Sequence, residues 1–340
     1  MARVQSMGDD GPILVASAPG KCILFGEHAV VYGQPAVAVA LEQRLTVSMT
    51  PAASWSVDGG ALNEHKHPHI VSLRHQLLDP SHDNPMAIHV QADIPRASGL
   101  GSSAALSAAV AAAMSEWRQV GAADTEHLSR VAHLAEAGAQ EGRASPMDTS
   151  TSVEGGVIVL SDIKEPSAQW AYTRTLATPE GERRWEVHRL QPPEAEVYLV
   201  LGNTGVHAST SHQVAMVAQA LHDAPDRMNE ITAIGTVARR GLQALVEGDY
   251  DAVGHAMSEN HLLLRGLGVS SPELENLILA AAPTSLGVKL TGAGGGGCMV
   301  ALTRHPKATS EAIELAGGRT LISKLGNPGV VVRRRTNGET

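Results

Sequence analysis

Residues 95–105, PRASGLGSSAA, place two glycines and two adjacent serines just before an alanine-dense run, an order suited to holding phosphate. Gly99 and Gly101 let the backbone turn tightly and approach a ligand with no Cβ in the way. Ser102 and Ser103 offer hydroxyls where the unpaired N–H groups and positive dipole end of a helix would converge. The preceding alternation MAIHVQADI reads as a strand, and SAALSAAVAAAM as a segment of high helix propensity. Strand, glycine-serine loop and helix together predict an anion site, although a plain serine-capped loop satisfies the same residues. Gly99, Gly101 and Ala104 also meet the spacing of a dinucleotide-binding turn. That fold wants a second parallel strand ending in an acidic residue about twenty positions later. Residues 124–140 instead carry Leu128, Val131 and Leu134 at helical spacing. The Walker pattern G-x-x-x-x-G-K-[ST] is absent.

The charged residues complete a possible reaction. Lys21 follows what reads as a Pro19–Gly20 turn, and it is one of six lysines against twenty arginines. A compact ammonium there suits a carboxylate or a transferring phosphoryl group, or simply solvent at a turn. Glu27 and His28 interrupt an apolar segment, GEHAVVYG, and need partners, either each other or a substrate. Asp148, in SPMDTSTS, reads singly as a turn cap. Beside Lys21 and a phosphate loop it becomes the acceptor for a hydroxyl proton. In KLTGAGGGGCMVAL, residues 289–302, Gly292 and Gly294 through Gly297 are more glycines than a simple turn requires. Their conformational cost predicts a loop that passes close to a ligand or another loop. EHKHPH, residues 64–69, reads as a solvated loop. Pro68 breaks its spacing, and no carboxylate or cysteine framework completes a metal site.

These residues sit in a chain of 340, enough for a sizeable core and two lobes. With 43% hydrophobic but only 3% aromatic residues, that core must be built of Ala, Val, Leu and Ile, and Phe25 is the sole phenylalanine. A net charge of −9 argues against a general nucleic-acid binder while leaving room for one cationic pocket. Cys22 and Cys298 make no disulfide framework and suit a reducing cytoplasm. No apolar stretch reaches membrane-spanning length, and the first residues read as a poorly ordered lead-in rather than a secretory signal. Strands are expected at 13–18, 36–40, 153–160 and in VYLVLG, with helical patterns over 211–251 and 273–282. Residues 53–84 read as loop-rich. Residues 162–196, charged and proline-bearing, read as the boundary between lobes.

Three segments together resemble the GHMP kinase superfamily, and within it the archaeal-type mevalonate kinases: APGKCILFGEHAVVYG, PRASGLGSSAA and KLTGAGGGGC. GEHAVVYG, ASPMDTSTS and ENHLLLRGLGVSSPEL carry the closer likeness. The resemblance implies an α+β fold of two lobes, residues 1–190 and 191–340, with the active site between them. It implies ATP and Mg2+ as cofactors, and ATP-dependent phosphorylation of mevalonate at its 5-hydroxyl, in isoprenoid precursor synthesis. By motif, Pro95, Ser98, Gly99, Leu100, Gly101, Ser102, Ser103 and Ala104 would wrap the ATP phosphates. Lys21 would neutralise charge near the acceptor, and Asp148 would be the catalytic base. Glu27, His28 and Thr204 would lie at the acceptor, while Gly292, Gly294 and Gly295 belong to the closing loop. Ser103 and a glutamate would hold magnesium. The family's usual spacing falls on Ala137, but AHLAE resembles the family's AHEAE, which points to Glu136 through a one-residue helix bulge, with Glu141 as the alternative. The resemblance is compatible with a homodimer in the cytoplasm, with no nucleic-acid or membrane partner. Kinases acting on phosphomevalonate or homoserine, a related decarboxylase and a non-catalytic metabolite sensor remain alternatives.

Overall fold

The computed structural model describes residues 13–78, 84–95, 98–118, 124–140, 142, 144–178 and 181–335. The chain opens with β1 (Ile13–Phe25), a 3-10 turn (Ala29–Tyr32), β2 (Ala36–Pro51), and the short β3 (Ser56–Val57) and β4 (Gly60–Ala61). Then come α1 (Pro68–Leu77), β5 (Met86–Ala92), α2 (Ser102–Trp117), α3 (Thr125–Ala139) and α4 (Met147–Glu154). Strands β6 (Val157–Ser161), β7 (Gln169–Thr178) and β8 (Gly181–Leu190) follow. The rest comprises β9 (Tyr198–Asn203), α5 (Thr210–Asp223), α6 (Met228–Glu247), α7 (Tyr250–Gly266), α8 (Pro272–Ala281), β10 (Gly287–Thr291), β11 (Cys298–Thr303), α9 (Pro306–Leu315), β12 (Arg319–Lys324) and β13 (Val331–Arg335).

Two sheets organise these elements. The first has nine strands along the path β4-β3-β5-β2-β6-β8-β7, with β1 paired antiparallel to both β2 and β13. The second is the four-stranded antiparallel sheet β10-β11-β9-β12. Residues 162–196 do not form one irregular connection. β7 and β8 pair as a long hairpin within the first sheet, and the chain then enters the second at β9. The final strand, β13, returns to the first sheet.

Alternating burial at the start of β1 and along the second half of β2 gives the sheet one apolar face, onto which α2 packs. Helix α2 is buried along Ala104, Ala105 and Ala108 through Met114, and its methyl side chains permit close helix–sheet approach. Branched residues fill the space behind, where burying each Leu or Ile contributes about 1.5–3 kcal/mol. Phe25 is fully buried, and Gly241 of α6 lies against its ring, where a Cβ would approach Phe25 Cζ to 2.3 Å. Thus the single phenylalanine joins β1 to the helices of the second sheet.

The expected Pro19–Gly20 turn is instead a β-bulge inside the thirteen-residue β1, with register shifts between Pro19 and Lys21 and between Ile23 and Phe25. Pairing with β2 carries the strand through the proline. Gly20 is required because a Cβ there would meet the Leu100 carbonyl oxygen at 2.9 Å. Residues 53–84 hold β3, β4 and α1 rather than loop alone. Pro68 does not end regular structure but starts α1, where its missing N–H costs nothing.

Candidate active site

The glycine-serine loop ends at Gly101, which caps α2 with φ 75° and makes no side-chain cap bond. Gly99 has φ 77°, so both glycines occupy the left-handed region that a side chain resists. The first helical bond runs from Ala105 N to Gly101 O at 2.9 Å, leaving the amides of the first turn aimed outward. Ser98, buried, donates from Oγ to Pro95 O at 2.7 Å and tightens the loop. Leu100 O accepts from Lys21 N at 2.9 Å, so the loop is stitched to β1 beside the bulge. Ser102 is half-buried and Ser103 exposed. Uncapped amides, a helix dipole and the adjacent Ser102 and Ser103 hydroxyls together form an anion cradle.

Lys21 emerges from the bulge and runs beneath that cradle. A Cβ on Gly101 would meet its Cγ at 2.9 Å. Its ammonium, almost wholly buried, lies 3.2 Å from Asp148 Oδ1, whose side chain is 41% exposed. Asp148 stands in the first turn of α4, where the helix dipole favours a carboxylate. The polar run that carries it is helical because its serines and threonines find partners inside the protein. Ser152 Oγ donates to Pro19 O at 2.9 Å, and Tyr172 Oη donates to Ser129 and Ser150 at 2.9 and 3.1 Å. These bonds fix α4 against β1 and set the distance between Lys21 and Asp148.

Glu136 lies on the neighbouring α3, 4% exposed. Its carboxylate accepts from Ser103 Oγ and Ser107 Oγ, each at 3.2 Å, and from Gln140 Nε2 at 2.9 Å. His69 Nε2 lies 3.3 Å from its Oε1. Burial pushes the carboxyl up, but the His69 contact and the serine hydroxyls outweigh it and hold the group below its ordinary value. No bulge interrupts α3; after Ala139 the chain closes through Gly142 N to Ala137 O at 2.7 Å. Glu141 lies outside the described residues. Among the described residues no cluster of three or more His, Cys, Asp or Glu is placed to hold a metal alone. One carboxylate and a serine hydroxyl beside a phosphate cradle fit magnesium, a hard cation that takes few protein oxygens plus substrate phosphates.

Sequence reasoning missed His69 by reading EHKHPH as solvated throughout. The legible signal was Pro68 followed by Ile70, Leu73 and Leu77 at helical spacing. A helix there turns His69 inward, while His65 and Lys66 remain exposed in a turn held by Asn63.

The residues expected at the acceptor are brought to the seam between the sheets, but with their polar atoms engaged. Glu27 is 3% exposed; Asn260 Nδ2 donates to its Oε2 at 3.1 Å, and Lys289 pairs with its Oε1. Its carboxylate therefore faces inward instead of forming a free substrate contact. His28 adopts φ 60°, and its Nε2 lies 2.9 Å from Ala293 O. Burial lowers its pKa, which favours a neutral ring donating from Nε2. Thr204 Oγ1 donates to Gly297 O at 3.0 Å and accepts from Val206 N at 3.1 Å, anchoring the glycine-rich loop. That loop fits closely: Cβ atoms on Gly294 and Gly295 would meet Val269 O at 2.0 Å and Gln213 Nε2 at 2.3 Å. A Cβ on Gly297 would reach the Ser98 carbonyl at 3.3 Å, so the two glycine loops face each other.

The loop leading to Asp148 is held by a buried histidine. His133 Nε2 lies 2.9 Å from Ala144 O, while its Nδ1 has no partner among the described residues. Burial lowers its pKa to about 4. Since the folded state resists the proton, stability is complete above the ordinary value of 6.5 and declines as pH falls toward 4. The loss expected from this group is about 2 kcal/mol at pH 5. Urea midpoints at pH 7.5 and 5 should show it. His133→Gln, which keeps an N–H donor but does not titrate, should reduce the drop; an identical drop would contradict the assignment.

Comparison with known proteins gives the family. The pattern of the GHMP kinases N terminal domain matches residues 69–156, and that of the GHMP kinases C terminal domain matches 242–316. The chain is 33% identical over 295 residues to a mevalonate kinase of Methanothermobacter thermautotrophicus, covering 84% of this chain and 89% of that protein. It is 31% identical over 360 residues to a mevalonate kinase of Thermococcus gammatolerans, covering 93% and 97%. Among solved structures, L. major mevalonate kinase in complex with R-mevalonate aligns with TM-score 0.71 at 22% identity, covering 96% of this chain and 99% of that one. A Streptococcus pneumoniae phosphomevalonate kinase aligns with the same TM-score at 18% identity, covering 96% and 100%. These structural likenesses show a shared fold, whereas the relatives above 30% identity are mevalonate kinases. With both GHMP domains matched and the archaeal relatives aligned over most of its length, the chain belongs to the mevalonate kinase family of the GHMP kinases.

Proposed function

We propose that this protein transfers the γ-phosphoryl group of ATP to the 5-hydroxyl of mevalonate, giving 5-phosphomevalonate and ADP. The observation that carries the reading is the Lys21–Asp148 pair at 3.2 Å, packed against an uncapped helix N-terminus, in a chain whose relatives are mevalonate kinases. In the reaction the 5-oxygen bonds to the γ-phosphorus, the bond from that phosphorus to the β,γ-bridging oxygen breaks, and the hydroxyl proton moves to Asp148. Asp148 orients the hydroxyl and accepts that proton. Lys21, held under Gly101, stabilises the charge developing between acceptor and donor. The amides of Gly99, Leu100, Gly101 and Ser102, with the Ser102 and Ser103 hydroxyls, position the triphosphate. Glu136 and Ser103 would hold magnesium, which when bound with ATP neutralises phosphate charge. Phosphoryl transfer asks mainly for such positioning and charge stabilisation. The glycine-rich loop, facing Ser98 across the seam, would limit water access.

The test is ADP release from magnesium-ATP with mevalonate, phosphomevalonate, homoserine and galactose compared under one set of conditions. Release with mevalonate alone is expected. Preferential turnover of another acceptor would keep the chemistry and overturn the substrate. ATP binding with no release for any of the four would overturn the kinase reading.

A further inference from the structure

Lys289 is wholly buried, an unusual place for an ammonium unless every N–H is answered. It pairs with Glu27, donates to Leu290 O at 2.5 Å and lies 3.5 Å from Ile23 O. Asn260, from α7, donates to the other Glu27 oxygen. Glu27 and Ile23 belong to the chain of the first sheet, whereas Lys289 and Asn260 belong to the second sheet and its helix. The ion pair is therefore a joint between the two halves of the molecule.

Two further contacts lie at alternate positions along the same run. Thr291 Oγ1 accepts from Ile23 N at 2.9 Å, with Ile23 O 3.0 Å away, and Ala293 O meets the His28 ring at 2.9 Å. Residues 289, 291 and 293 thus grip residues 23, 27 and 28. Lys21 precedes the gripped segment by two residues. The glycine-rich loop begins within the gripping run 289–293, and a Cβ on Gly292 would lie 4.0 Å from Gly99 O of the phosphate loop.

We propose that Lys289 is a positioning residue: through Glu27 it sets the register between the acceptor-side segment 23–28 and the two glycine loops. Glu27 then acts on the reaction by holding His28 and the end of β1 in place, not by touching substrate. Lys289 changes how the acceptor is aligned with the donor, while the nucleotide cradle, built from residues 95–104, remains intact. The inference rests on mevalonate being the acceptor.

The experiment compares Lys289→Met, Glu27→Gln and the double variant in the full-length chain, measuring melting temperature, mevalonate kinetics and the KM for ATP. Each single change strands a buried polar partner and should lower the melting temperature by roughly 5–10 °C. The double variant, with no charge left unmatched, should regain most of that stability. Its kcat/KM for mevalonate should stay about 10²-fold below wild type, the scale expected for a displaced reactant, with KM for ATP changed by less than about threefold. Recovery of kcat/KM together with stability would reduce the pair to charge balance and overturn the inference. Single variants as stable as wild type would overturn it too. If the double variant does not fold, Thr291→Val breaks the same joint without touching a charge. Reduced kcat/KM for mevalonate at unchanged KM for ATP supports the inference there, and wild-type kinetics contradict it. Wild type measured alongside separates the two readings: if it is silent with mevalonate, the acceptor assignment fails, and the same comparison is made with the acceptor that releases ADP.

Discussion

Asp148→Asn is expected to lower kcat by about 10²–10⁴-fold, the range for loss of a positioned general base. Asparagine keeps the size and the first-turn location of the side chain but cannot take the hydroxyl proton. ATP affinity should change little, because the phosphate cradle is made largely of backbone amides around Gly99 and Gly101. The fold should tolerate the change, since Asp148 is 41% exposed and water can replace its contact with Lys21. Lys21→Met should cost about 10²–10³-fold in kcat, as for a lost electrostatic stabiliser. Methionine can still pack under Gly101, where the lysine stem now lies. The double variant should lose less than the product of the two single effects, because the residues act as one unit. Single-turnover rates with saturating ATP would check all three. Wild-type turnover in folded Asp148→Asn would remove the proposed base.

The second large effect is expected at Glu136. Glu136→Gln preserves shape and removes the charge that Ser103, Ser107, Gln140 and His69 now surround. We expect about a 10²-fold loss of kcat and a clear rise in half-saturating magnesium, since the divalent ion would supply several kcal/mol of charge stabilisation. Ser103→Ala should shift the magnesium profile in the same direction by a smaller amount. Glu141→Gln should leave it where it is. Titrating magnesium at fixed ATP distinguishes the two glutamates directly. A profile unchanged by Glu136→Gln but displaced by Glu141→Gln would transfer the role.

Much of this candidate site is legible in the sequence, because its parts break ordinary compositional habits. Two glycines and two serines before an alanine-rich helix, a rare lysine and a lone aspartate each had a structural explanation singly but a chemical one jointly. What escaped reading was whatever depends on long-range pairing. Pro19 and Gly20 look like a turn, yet sheet pairing with β2 carries β1 straight through as a bulge. Asp148 and the hydroxyls around it read as a turn cap, yet those hydroxyls are answered by Pro19, Ser129 and Tyr172, which allows α4 to be buried. Glu27 reads as a partner of His28 or of a substrate; the partner it has, Lys289, lies 262 residues away. His69 was hidden by its polar neighbours, of which His65 and Lys66 do stay in solvent.

The central claim is a specific transfer, from ATP to the primary hydroxyl of mevalonate, and the product itself tests it most directly. After incubation with magnesium-ATP and mevalonate, proton-coupled phosphorus NMR should show a new monoester signal split into a triplet by the two protons on carbon 5. A monoester singlet would place the phosphate on the tertiary 3-hydroxyl and contradict the proposed acceptor geometry. No monoester at all, from folded protein that binds ATP, would contradict the account of Lys21 and Asp148 as the machinery of mevalonate phosphorylation.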